Sequence, residues 1–126
     1  MVLLRYLWAL PNTLLGLVPV LIVQLQGGHV RRVEGVIEVA GGVVTLLLTA
    51  LPIKPLAMTL GHVVWAIDEP ALVRTREHER VHVRQYERWG PLFLPAYLLA
   101  SLAMKLRGRD AYRDNPFERE AYNKAG

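Results

Sequence analysis

The chain contains no cysteine, no tandem repeat and no low-complexity linker. The first absence excludes disulfides, thiolate metal ligands and cysteine nucleophiles, so any bound metal must be held by nitrogen and oxygen. The other two exclude a repeat array and leave the 126 residues as a single domain, 1–126. Charge is also missing from one long stretch. Residues 6–26 are 21 positions with neither acid nor base, running through Trp8, Leu14, Leu15, Leu17, Val18, Val20, Leu21, Ile22, Val23 and Leu25. About 20 apolar residues span a bilayer, so 6–26 is expected to be an N-terminal transmembrane helix, bent at Pro11 and Pro19. A cleaved signal peptide fits less well: the run is long for an apolar leader core, and no small-x-small site precedes Gly27-Gly28.

Histidine is scarce, with four in the chain, yet two of them stand in His78-Glu79-Arg80-Val81-His82. On a helix, H-E-x-x-H places two imidazoles one turn apart on one face, able to converge on a single cation. The intervening Glu79 is turned about a quarter turn towards the open coordination position, where a carboxylate serves as general base and later as acid. Helical phase supports this placement. His82, Tyr86 and Trp89 fall near His78, with Glu79, Val81 and Val83 on the flanks. Arg76, Glu77, Arg80, Arg84, Glu87 and Arg88 lie opposite, as a solvated face. Histidines and an acid turned inward are costly without partners, and a metal is one sufficient partner.

A catalytic zinc site usually takes three protein ligands and leaves the fourth position to water. The remaining candidates are His29, His62 and the few acids. Asp114-Asn115-Pro116-Phe117-Glu118-Arg119-Glu120 reads as a helix start, with Asn115 as N-cap and Pro116 at the first helical position. Glu118 then sits where a capping-box acid sits. It also shares a face with Ala121 and Tyr122, whereas Glu120 points away with Phe117 and Lys124. Glu118 is therefore the leading third ligand, with Glu120 and His62 as the alternatives; His62 more often suits a structural role.

H-E-x-x-H followed tens of residues later by E-x-x-A resembles the gluzincin metallopeptidases, in particular the membrane-embedded group that includes the HtpX heat-shock protease and the CAAX prenyl protease. The resemblance covers roughly the last 55 residues. It implies a Zn2+ ion held by His78, His82 and Glu118, with Glu79 as catalytic base and acid. One position departs from the pattern: an Asp usually follows that Ala and steadies a ligand, and here Tyr122 stands there, leaving Asp110 or Asp114 as substitutes. The ending is also similar to that of small bacterial membrane proteins, which implies the bacterial cytoplasmic membrane as the location.

Between the apolar stretches, 29–67 reads as β-rich. Val30 to Val33 and Val36 to Val39 alternate around Glu34-Gly35, as in a hairpin. Val43 to Leu51 has no useful period and suits strand or helix, ended by Pro52 and Pro55. Residues 59–67 suggest one further strand, beside which an extended peptide would lie. Residues 69–124 hold the metal-site helices. Within them 89–104 is apolar but short for a full span, and is expected to be a partial insertion or a core helix. The expected fold is α+β and mainly helical, a minimal zincin-like domain with a small antiparallel sheet and the N-terminal membrane helix.

The formal net charge is +4, from arginines interleaved with acids. Such a surface suits anionic headgroups, and with no recognition motif present nucleic acid is not an expected partner. The expected activity is that of a small membrane-bound zinc metallopeptidase acting on a peptide or membrane-protein substrate at the lipid bilayer; the sequence assigns no oligomeric state. The alternative from another class is a metal-stabilised membrane protein with a structural or sensory site. Small size and Tyr122 favour that alternative, and Glu79 counts against it, since a structural site needs no base. Tyr86, Tyr97, Tyr112 and Tyr122 are all chemically able to steady an oxyanion.

Overall fold

Pro19 decides the course of the N-terminal segment. With no N–H it cannot continue the helical ladder, and the Leu15 carbonyl is taken instead by Val18 N at 3.3 Å. The computed structural model, which describes residues 2–51 and 55–125, accordingly has two helices here, α1 (Val2–Leu17) and α2 (Val20–Leu25). The helix expected over 6–26, with bends at Pro11 and Pro19, is thus divided at Pro19, while Pro11 is carried inside α1. The 16 residues of α1 extend about 24 Å, less than the ~30 Å hydrocarbon core of a bilayer. Among the described residues, the one helical run long and apolar enough to cross a membrane is Glu69–Leu106.

The side chains of α1 are distributed in the reverse of the usual sense. Ala9, Asn12 and Gly16 are buried, while Leu3, Leu7, Leu10 and Leu14, spaced three and four apart, are exposed. Small and polar groups let the helix approach closely: Trp65 Nε1 donates to the Gly16 carbonyl at 2.9 Å, and Asn12 Nδ2 donates to the Gly90 carbonyl at 3.0 Å.

The sheet has four strands in the order β1-β2-β4-β3, formed by β1 (His29–Val33), β2 (Val36–Ala40), β3 (Ala57–Leu60) and β4 (Val63–Ala66). The β1–β2 hairpin follows the expectation. Glu34 and Gly35 make its two-residue turn with φ 52° and 79°, the left-handed pair that such a turn requires. Of the strand or helix left open for Val43 to Leu51, the structure has helix, α3 (Gly42–Ala50); Pro52, one of its expected terminators, lies outside the described residues. Two expectations need correction. The single strand over 59–67 is a hairpin, reversed at Gly61-His62, with Gly61 at φ 62°. The sheet is mixed rather than antiparallel, because β2 pairs parallel with β4. Val63, Val64 and Ala66 are at most 1% exposed, so β4 takes the central slot covered on both faces, and the less buried β3 is left at the edge.

Side chains alternate across this sheet. Val36, Ala40, Val64 and Ala66 pack under Ala71, Leu72 and Val83 of α4 (Glu69–Trp89). On the other face, Val39 and Val63 meet Val23, Val44 and Leu48 of α2 and α3. The start of α4 is set by Asp68, whose Oδ1 accepts from Ala71 N at 2.9 Å, with Pro70 in the first turn. Arg80 does not lie on a solvated face as its phase predicts. It reaches Glu38 at 3.1 Å and the Val33 carbonyl at 3.1 Å, and with Arg76 it ties α4 to β2.

Gly90 ends α4 at φ 58° and leads through a 3-10 turn into α5 (Phe93–Leu106). A Cβ at this position would overlap the Trp8 indole of α1. Gly90→Ala is therefore expected to lose about 2 kcal/mol or more of stability, from left-handed strain plus the collision. A thermal unfolding scan checks this, and an unchanged midpoint would mean that α1 is not seated there. Like α1, α5 turns polar groups inward, Tyr97 and Ser101, and exposes Leu98, Leu99, Leu102 and Leu106. After a loop, α6 (Pro116–Ala125) returns across α4.

Candidate metal centre

One turn of α4 carries His78 and His82 towards α6. Their Nε2 atoms lie 3.1 Å and 3.0 Å from the same oxygen, Oε1 of Glu118. Four-coordinate zinc with arms of about 2.0–2.1 Å sets its ligand atoms about 3.3 Å apart, so the spacing of these three groups fits a shared cation. Glu79 completes the cluster. Ligand-capable atoms of His78, Glu79 and His82 all lie within 4.8 Å of one another, and Glu79 Oε2 is 3.8 Å from His78 Nε2.

The third-ligand alternatives go elsewhere. Glu120 accepts from Gln85 and Arg88, and His62 pairs with Glu87 at 2.8 Å while stacking on Tyr6. His29 meets Glu69 at 3.0 Å. Glu118 does not serve as a capping-box acid. Asn115 alone caps α6, its Oδ1 accepting from Phe117 N at 2.9 Å, while its Nδ2 donates to the Tyr97 carbonyl and to Ser101. This buried amide joins the start of α6 to α5 and so places Glu118, one turn later, over the histidines. Tyr97 donates to the other carboxylate oxygen, Oε2, at 2.6 Å.

Gln85 is the residue the motif did not reveal. It is fully buried, and its Nε2 donates to the Phe117 carbonyl at 3.0 Å and to Glu120 at 2.7 Å. Both partners only accept, which orients the amide and points Oε1 at His82 Nδ1, 2.8 Å away. An amide oxygen requires a donor there, so His82 carries its proton on Nδ1. Neutral His82 therefore presents a bare Nε2 lone pair to a carboxylate oxygen at 3.0 Å, a repulsive contact unless a cation or a second proton lies between them. Its one sequence signal is position: three residues after His82, on the inward face. Neither expected substitute for the missing Asp plays this part. Asp110 accepts from Tyr112 N and Arg113 N, and Asp114 accepts from Asp110 N, all within the loop before α6. Tyr122 is half exposed, and its ring packs on His78 with centroids 4.4 Å apart.

Electrostatics follow from burial and from these contacts. Burial opposes charge on Glu118, but the close His78 and His82 rings outweigh it and hold its pKa at about 2. Burial also opposes charge on His82, yet the Glu118 contact raises its pKa overall, the mark of a nitrogen facing negative charge. For Glu79 burial wins, and its pKa is raised despite His82 and His78. Thr59 of β3 donates to Glu79 Oε1 at 2.9 Å, and Tyr86 OH donates to the Thr59 carbonyl at 2.9 Å, so the edge strand and the metal helix are fastened at the acid.

A pocket of ≈ 190 Å³ opens on this cluster, with Glu79, His82 and Glu118 at its polar end. Its walls are apolar: Ala57, Met58 and Leu60 from β3, and Phe93 and Leu94 from α5. Trp89, whose phase placed it beside the histidines, is instead 43% exposed and packs edge-on against Phe117.

Gln85→Met keeps the side-chain volume and removes the hydrogen bonds. The expected result is a folded chain with metal affinity lowered about 10–100-fold, read by competition with a zinc chelator; unchanged affinity would show that the amide does not orient His82. Compared with protein-family models, with curated proteins and with solved structures, the chain finds no match in any of the three.

Proposed function

We propose that this chain is a small membrane-bound zinc metallopeptidase. The observation that carries the metal is the convergence of His78 Nε2 and His82 Nε2 on one Glu118 oxygen, at 3.1 Å and 3.0 Å, with the Gln85 amide oxygen on the far nitrogen of His82 at 2.8 Å. Two imidazoles and a carboxylate suit zinc. His78 Nδ1 is buried with no hydrogen-bond partner among the described residues, so His78 lacks the outer hydrogen bond that Gln85 supplies to His82.

His78, His82 and Glu118 would hold the ion, which when bound supplies Lewis acidity and an acidified water. Glu79 takes and returns the proton. Its burial raises its affinity for that proton, and Thr59 holds one of its oxygens in place. Tyr97 keeps Glu118 in register through Oε2. The edge strand β3 offers main-chain pairing to an extended peptide, and the pocket between β3 and α5 takes an apolar side chain. Substrates are then unfolded peptides or membrane-protein segments.

The membrane location rests on side-chain distribution. α1 buries Ala9, Asn12 and Gly16 and exposes its leucines, and α5 exposes Leu98, Leu99, Leu102 and Leu106 while Tyr97 and Ser101 are half-buried, an arrangement that suits lipid. Nearly complete burial of Glu79, His82 and Glu118 favours the second reading, a metal-stabilised structural or sensory site. Cleavage of unfolded casein in detergent separates the two. The metallopeptidase loses activity to a chelator and regains it with zinc, whereas a structural site shows no chelator-sensitive cleavage.

A further inference from the structure

Two surface grooves adjoin where α1 packs on α4, sharing Arg5 and Glu87 as common walls. One is apolar and aromatic, lined by Leu4, Leu7 and Trp8 of α1. The other is basic, with Arg84 and Arg88 of α4 and Lys124 of α6 around Val81. Trp8 Nε1 reaches the Arg88 carbonyl at 3.3 Å, which fixes the indole at the junction.

The charges of the basic groove are only partly answered. Glu87 is turned to His62 at 2.8 Å, and Glu120 is shared among Gln85, Arg88 and Lys124. Arg5 and Arg84 have no carboxylate within 4.0 Å among the described residues, and both are exposed. Four cations from three helices thus meet two carboxylates, of which Glu87 is turned to His62 and Glu120 is shared by Arg88 and Lys124, so the positive charge of Arg5 and Arg84 is left over.

We infer that these joined grooves form a binding site for one anionic glycerophospholipid, with its phosphate among Arg5, Arg84, Arg88 and Lys124 and an acyl chain along Leu4, Leu7 and Trp8. The inference rests on the membrane location proposed above. A free phosphate uses only the basic half, and an oligonucleotide has no use for the apolar half. A glycerophospholipid uses both, and exposed leucines on α1 continue the apolar half outward. Tryptophan and arginine at such a junction are the residues that settle at a bilayer interface.

Native mass spectrometry of the full chain, released from detergent micelles holding equal phosphatidylglycerol and phosphatidylcholine, tests this. Bound phosphatidylglycerol is expected to predominate. A well-placed basic residue is worth about fivefold, so Arg84→Ala with Lys124→Ala should cut the preference about 25-fold. Arg107→Ala with Arg113→Ala removes the same charge from exposed positions elsewhere and should leave it intact. Equal loss in both double variants would reduce the effect to bulk charge and overturn the site. So would displacement of the lipid by millimolar inorganic phosphate or by an oligothymidine. His82→Ala should keep the lipid, so loss of metal and loss of lipid selectivity are read separately.

Discussion

Glu79→Gln is expected to retain its metal and to lose about 10²–10⁴-fold in peptide cleavage, the range that positioned acid–base groups contribute. The substitution is nearly isosteric and leaves a carbonyl oxygen for the Thr59 hydroxyl, which now donates to Oε1 at 2.9 Å. His78, His82 and Glu118 keep their positions because none of them depends on Glu79 for a hydrogen bond. What disappears is a carboxylate beside the two histidines, at 3.8 Å from His78. Metal content and cleavage of casein, measured on the same preparation, check the result. A Glu79→Gln protein as active as wild type would remove the acid from the mechanism. One that had lost its metal would make Glu79 a ligand.

Metal removal is expected to lower the melting temperature by about 10 °C. At a hundredfold excess over its dissociation constant a ligand adds about 2.7 kcal/mol to stability, and in a chain of this size each kcal/mol moves the midpoint by about 4 °C. The structural reason is that α6 meets α4 through Glu118. Without a cation the carboxylate faces a bare imidazole lone pair, and an additional proton must be taken up to keep the helices together. A thermal scan with and without chelator measures the difference in wild type. His82→Ala, which has no centre to lose, should give the same midpoint in both conditions. An equal chelator effect in both proteins would place the stabilising metal elsewhere.

Much of the centre was legible because short-range geometry is simple. A helix brings positions four apart to one face whatever surrounds it, so His78, Glu79 and His82 followed from the pentapeptide alone. Glu118 followed from the phase of α6 and from the family resemblance, yet its assignment as a cap was equally natural. Asn115 was readable as the N-cap; that Glu118 adds no capping-box bond and turns to the histidines shows only in the structure. Gln85 was illegible for a different reason. Its role depends on Phe117 and Glu120, over 30 residues away, and a glutamine on an apolar face carries no signal of its own.

The fold shows the same division. The β1–β2 hairpin was readable because Glu34-Gly35 is a local turn signal. Whether β3 or β4 pairs with β2 is settled by burial on two faces, which no local pattern records, and so the sheet was expected to be antiparallel. The uncharged run 6–26 is present as expected in composition. Its continuity is not, because a proline that a lipid-embedded helix could carry as a kink here divides it into two helices. Arg80 joined the interior because Glu38, on a strand whose alternation gave no warning of a buried acid, needed cationic partners there.

The measurement that tests the account most directly is the zinc content of the purified full chain by elemental mass spectrometry, with His82→Ala prepared alongside. About one zinc per chain in wild type and little in the variant is the predicted result. No bound metal in wild type, even after zinc is supplied and the excess removed, would contradict it. The contact between His82 and Glu118 would then be bridged by a proton, and α4 and α6 would be a charged helix pair without a centre.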